Sequence, residues 1–117
     1  MDFFNEKFEI LRKTAKEYYQ SGVEELSKKR NNSAVTLFFK CILSLTDLFI
    51  LKNKKITPSS HSERFRIVQQ NFPDLYDILD KDFPFYQDSY NLILSKELAE
   101  IIKNDAEKIA KKTEISL

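Results

Sequence analysis

The chain has 117 residues, 42% of them apolar and 32% charged, with a formal net charge of +1. That length suits one domain, 1–117, around one hydrophobic core, and the balance excludes a disordered chain and a strongly basic nucleic-acid binder. One glycine, where average usage near 7% would give roughly eight, argues against a sheet with tight turns and for long helices joined by short polar links.

The first predicted helix covers about residues 3–29. Phe4, Phe8, Leu11, Ala15, Tyr18, Gly22 and Leu26 recur every three or four residues and share one face. Lys28, Lys29 and Arg30 suit the negative end of the helix dipole. Asn31-Asn32-Ser33 then make the turn, with Asn32 or Ser33 as the next cap.

The second helix covers about residues 34–52 and is apolar nearly all round. Such a helix belongs at the centre of a bundle or partly in an interface. Its circumference is wider than one small bundle should cover, which predicts self-association. Its polar residues form one stripe: Ser33, Thr36, Lys40, Ser44 and Asp47. The stripe reads as a narrow solvent-facing edge, or else as a polar seam facing a groove. Lys40, Ser44, Thr46 and Asp47 also interrupt the apolar run that a membrane span requires. With no leader-like start, the expected location is the cytoplasm.

Residues 53–60 form the longest loop. Ser60 followed by Glu63 has the form of a capping box and starts a third helix, 61–71, with Phe65, Val68 and Phe72 inward. Pro73 suits the first position of a fourth helix. Pro84 is expected to break it, leaving a separate segment at 85–94 with Tyr86, Tyr90 and Ile93 at helical spacing. Ser95 caps a final helix over about 96–112, burying Leu98, Ile101, Ile102, Ala106 and Ile109. The sum is an all-α, antiparallel up-and-down bundle of four to five helices.

Chemistry-bearing residues are sparse. Cys41 is the only cysteine and lies in an apolar run as a small core residue. His61 is the only histidine; no cluster of metal-ligand spacing surrounds it, and it reads as a surface or loop-anchoring residue. One glycine rules out a glycine-rich phosphate loop. From Lys52 to Arg66 five bases (Lys52, Lys54, Lys55, Arg64, Arg66) face one acid, Glu63. From Phe72 to Tyr90 five acids (Asp74, Asp77, Asp80, Asp82, Asp88) face one base, Lys81. Solvated helix faces explain both segments; complementary docking is the alternative. The candidate contact residues are Lys54, Lys55, His61, Arg64 and Arg66. No catalytic residue, metal site or cofactor is assigned.

The stretches HSERFRIVQQNFPDLYDIL and FPFYQDSYNLIL, followed by SKELAEIIKNDAEKI, resemble HEPN-domain proteins of archaea and bacteria, and SAVTLFFKCILSLTDLFIL is similar to that family's hydrophobic second helix. The resemblance covers nearly the whole chain and rests on helix order and a few positions. It implies an up-and-down bundle, a homodimer, and a minimal nucleotidyltransferase as partner in a toxin–antitoxin-type pair. Many members are metal-independent ribonucleases with an arginine, then a histidine four to six residues later, on a late helix. Here the only histidine precedes the third helix and no arginine follows Arg66, so no nuclease residue carries over. The sequence therefore reads as a non-catalytic HEPN-like interaction module. The alternatives are an atypical ribonuclease toxin and a small nucleotide- or RNA-binding protein using Lys54, Lys55, Arg64 and Arg66.

Overall fold

The long apolar segment of the sequence lies at the centre of the fold. A computed structural model describes residues 3–117. Among them are five helices and no strand: α1 (Phe3–Ser27), α2 (Asn31–Lys54), α3 (His61–Asn71), α4 (Pro73–Asp88) and α5 (Lys96–Thr113). Phe38, Phe39, Ile42, Leu45, Leu48 and Ile50 of α2 are fully buried, each worth roughly 1.5–3 kcal/mol of transfer free energy.

The other helices pack around α2. Lys55 at one end of α2 lies over Phe4 and Phe38 near the other meets Tyr19, so α1 runs antiparallel to α2. Phe49 meets Phe72 and Thr36 meets Ser89, so α4 is also antiparallel. Asn31 reaches Leu94 and Lys52 reaches Thr113, so α5 runs parallel to α2. The all-α bundle expected from the sequence is the fold observed.

This wrapping covers α2 within one chain. Leu37, Leu43 and Phe49 are half-buried, and every other apolar side chain of α2 is buried. The argument from α2 to self-association loses its basis. By length and composition α2 could cross a membrane, yet 67% of its most apolar window is buried among the neighbouring helices.

Four local expectations change. Pro84 does not break α4, which continues to Asp88. The proline lacks the donor that would reach the Asp80 carbonyl, but Asp80 is exposed and water can serve it. Around Pro84, Phe83 and Tyr86 pack on Phe39 at 5.9 and 4.9 Å between ring centroids, which holds the helix together. The first helix stops at Ser27: Lys29 turns left-handed (φ 62°), and the Arg30 amide reaches back to the Glu25 carbonyl in a Schellman closure. Ile101, expected inside, is 46% exposed.

The fourth change is that neither Asn32 nor Ser33 caps α2, which starts at Asn31 with no side-chain cap. The asparagines instead tie down the link between α4 and α5. Asn32 Nδ2 donates to the carbonyls of Ser89 (3.0 Å) and Leu92 (2.5 Å), and its Oδ1 accepts from the Leu94 amide (2.9 Å). Asn31 Nδ2 donates to the Leu94 carbonyl at 3.2 Å. Leu94 is buried, so its amide has no easy replacement partner. Asn32→Ala is expected to cost about 1–3 kcal/mol and to accelerate hydrogen exchange at the Leu94 amide. Unchanged protection at that amide would show that the tether is dispensable.

Candidate functional site

The polar stripe of α2 is not a solvent-facing edge. Only Ser33 is exposed; Thr36, Lys40 and Asp47 are half-buried and Ser44 is 8% exposed. The stripe is the floor of a groove walled by α1 and α4. At one end lies a depression of about 280 Å³, where Tyr18 of α1 and Tyr86 of α4 flank Lys40, Ser44 and Asp47, and His61 and Arg64 of α3 close it. Further along the stripe is a second depression of about 590 Å³, with Glu24 and Glu25 on the α1 side, Thr36 on the floor and Ser89 and Tyr90 opposite.

The seam reaches α3 through an ion pair. Ser60 caps α3 by accepting from the Glu63 amide at 3.1 Å, as its sequence pattern predicts. That start places His61 and Arg64 one turn apart, side by side. Arg64 Nε donates to Asp47 Oδ1 at 2.6 Å and Nη2 to Oδ2 at 2.9 Å, a two-pronged contact with both side chains largely buried. The remaining arm, Nη1, lies 3.0 Å from His61 Nδ1. A guanidinium only donates, so Nδ1 accepts and the ring proton of neutral His61 sits on Nε2. Burial, then the Arg64 charge, holds the His61 pKa below its ordinary value, against an opposing pull from Asp47.

Three polar side chains of this depression, Lys40, Ser44 and Tyr18, make no hydrogen bond or ion pair among the described residues. Lys40 has no ion pair among the described residues; its Nζ lies 5.9 Å from the Tyr18 ring centroid. The Ser44 hydroxyl, on a residue only 8% exposed that lines this depression, makes no hydrogen bond among the described residues. Tyr86 and Tyr90 share a hydroxyl contact at 3.2 Å. That contact, burial and the nearby Tyr90 and Tyr18 push the Tyr86 pKa up to about 12, so it stays protonated.

Of the five candidate contact residues, the structure brings only His61 and Arg64 together. Lys55 ends α2 in the left-handed region (φ 62°) and lies 4.5 Å from the Phe4 ring centroid. Lys54 and Arg66 are exposed and join no ion pair among the described residues. Arg66 is two positions from Arg64, which turns it to another face of α3. Lys52 donates to the Thr113 carbonyl at 3.2 Å. The run of bases in the sequence is therefore not one binding patch, because Arg64 is neutralised and the rest diverge.

The acidic run is corrected too. Asp82 is fully buried rather than solvated. It lies beside Asp105 of α5, a residue the sequence reading missed. Lys81 Nζ is 2.8 Å from Asp105 and 3.6 Å from Asp82, and Lys108 Nζ is 3.8 Å from Asp105. The available signal was Asp105's position between Ile102 and Ile109 on the apolar face of α5.

Among the described residues no three of histidine, cysteine, aspartate and glutamate gather as a metal-binding group. Burial pushes the Cys41 thiol up to about 12, leaving almost no reactive thiolate at neutral pH. No family model, curated protein or solved structure matches the chain. The groove over α2 is the site from which function must be argued.

Proposed function

We propose that the chain is a non-catalytic, HEPN-like interaction module whose contact surface is the groove over α2. The observation that carries this reading is the closed set Asp47–Arg64–His61. Metal-independent RNA cleavage needs a base for the 2′-hydroxyl proton and a cation on the phosphate. Here the arginine is committed to Asp47 on two arms, and its third occupies the acceptor nitrogen of the only histidine. The acceptor is thus blocked, and freeing the arginine would leave Asp47 unpaired in a largely buried position.

A contact role is supported by the tethered link beside the groove. It presents Tyr90 (68% exposed), Leu92 (55%) and Ile93 (100%) on backbone that Asn31 and Asn32 hold in place. Ordered apolar side chains in solvent are common at interaction sites. The HEPN resemblance supplies the expected partners, a minimal nucleotidyltransferase and a second copy of the chain, with the cytoplasm as the place of action.

The test is purified protein incubated with mixed RNA, beside a His61→Ala variant. Neither is expected to cleave. Cleavage by the parent that disappears in the variant would make the chain an atypical ribonuclease and overturn the reading.

A further inference from the structure

We propose that the groove over α2 receives an extended peptide segment of a partner protein, with an acidic side chain of that segment seated at Lys40 and Ser44. This rests on the interaction-module reading and adds the chemistry of what is bound.

The seat follows from unmet hydrogen-bonding capacity. Ser44 is 8% exposed and lines the depression, and its hydroxyl makes no hydrogen bond among the described residues, so it is free to donate to a bound group. Beside it Lys40 is a cation with no anion partner among the described residues. Asp47, the only carboxylate in this depression, is taken by Arg64. His61 keeps its proton on Nε2 because Nδ1 is engaged, and the Tyr18 hydroxyl has no hydrogen-bond partner among the described residues. The open groups are thus donors from three helices around one unneutralised positive charge. A carboxylate, with two oxygens that only accept, is complementary to that set.

The rest of the groove sets the shape of the ligand. Ser33 and Asp47 are fourteen positions apart on α2, about 21 Å at helical rise. An extended chain covers that length with about six residues at 3.3 Å each. At the far end stand Glu24 and Glu25, whose own partners Lys28 (3.0 Å) and Arg30 (3.5 Å) are solvent-exposed. Exposed pairs of this kind hold weakly, so both acids are open to a second cation. The groove is therefore polarised: donors and a positive charge at the α3 end, carboxylates at the other. A segment with an acid at one end and a base at the other matches both.

The experiment uses the full chain and capped peptides of about six residues, with glutamate at one end, lysine at the other and small uncharged residues between, in both chain directions. Binding is followed by amide NMR shifts. Shifts are expected at Lys40, Ser44 and Tyr86. Lys40→Gln in the protein, and glutamate to glutamine in the peptide, should each weaken binding about tenfold, equivalent to about 1.4 kcal/mol. Combined, they should lose little more than either alone, since each removes the same contact. Lys54→Gln serves as the control and should bind like the parent. Additive losses, or shifts confined to other faces, overturn the proposal. So does inorganic phosphate that binds at Lys40 more tightly than the peptide, which would reassign the seat to a phosphate-bearing ligand. No peptide binding together with no RNA cleavage removes the groove assignment alone, whereas RNA cleavage removes the module reading itself.

Discussion

Asp82→Asn is expected to stabilise the chain by about 2–4 kcal/mol well above pH 8, and to change it little near pH 4. Both Asp82 carboxylate oxygens are buried without a hydrogen-bond partner. As an anion, Asp82 would sit in the core beside a second carboxylate, with Lys81 only 3.6 Å away and itself shared with Asp105. Protonated, it can donate to Asp105 and resolve the conflict. Burial first, then Asp105, pushes its pKa up from 3.8 to about 8, against a smaller lowering by Lys81. The groups facing it are Lys81 on its own helix and Asp105 and Lys108 on α5. Between those two values the native chain keeps a proton that the unfolded chain has released. Stability therefore falls as pH rises from about 4 to about 8 and levels off beyond. Asparagine keeps the shape and a donor for Asp105 but cannot ionise, so the slope should flatten in the variant. Asp82→Leu should behave similarly, because apolar replacement of a buried charge is often favourable. Denaturant unfolding at several pH values decides it: variants less stable than the parent throughout would mean that the Asp82 charge is accommodated after all.

Asp82 also marks the limit of what the sequence made legible. Its neighbours Asp80 and Lys81 are exposed, and nothing in Asp80-Lys81-Asp82 says which residue turns inward. That choice depends on α4 remaining helical through Pro84. Once a break is assumed there, the phase of the segment is lost and the acids read as one solvated run. A proline inside a helix costs most where its orphaned carbonyl is buried, whereas here that carbonyl belongs to the exposed Asp80 and the flanking aromatics pack on Phe39. Local signals, by contrast, read correctly. Ser60 and Ser95 cap α3 and α5 by accepting from the Glu63 and Leu98 amides. Both are contacts within three residues, which a linear pattern can express. The Asn32 tether spans 57 to 62 residues, and the Arg64–Asp47 pair 17. Asparagine before a helix is the ordinary signature of a cap, so its long-range use was hidden. The α2 stripe was visible as a stripe, and only the placement of α1, α3 and α4 made it the floor of a groove.

Gly22→Ala should destabilise the chain by about 1–2 kcal/mol, although alanine is the better helix former by about 1 kcal/mol. Gly22 is the only glycine, and its φ is ordinary for a helix, so backbone freedom does not explain it. The reason is the crossing of α1 and α2. A Cβ at position 22 would lie 2.6 Å from Phe38 Cε1 and 2.7 Å from Cδ1, inside van der Waals contact. Phe38 is fully buried and packs against Tyr19 at 5.8 Å, so its ring has nowhere to swing. Overpacking of this kind costs about 1–3 kcal/mol, enough to outweigh the propensity gain. The opposing effects separate in a second variant. Phe38→Leu alone loses core contact, but combined with Gly22→Ala it removes the atoms that the methyl meets. The double variant should then be more stable than the sum of the single losses implies, by about 1 kcal/mol. Strict additivity would show that the two helices part slightly to admit the methyl group. A rise in stability for Gly22→Ala alone would mean that propensity, not close approach, governs this crossing.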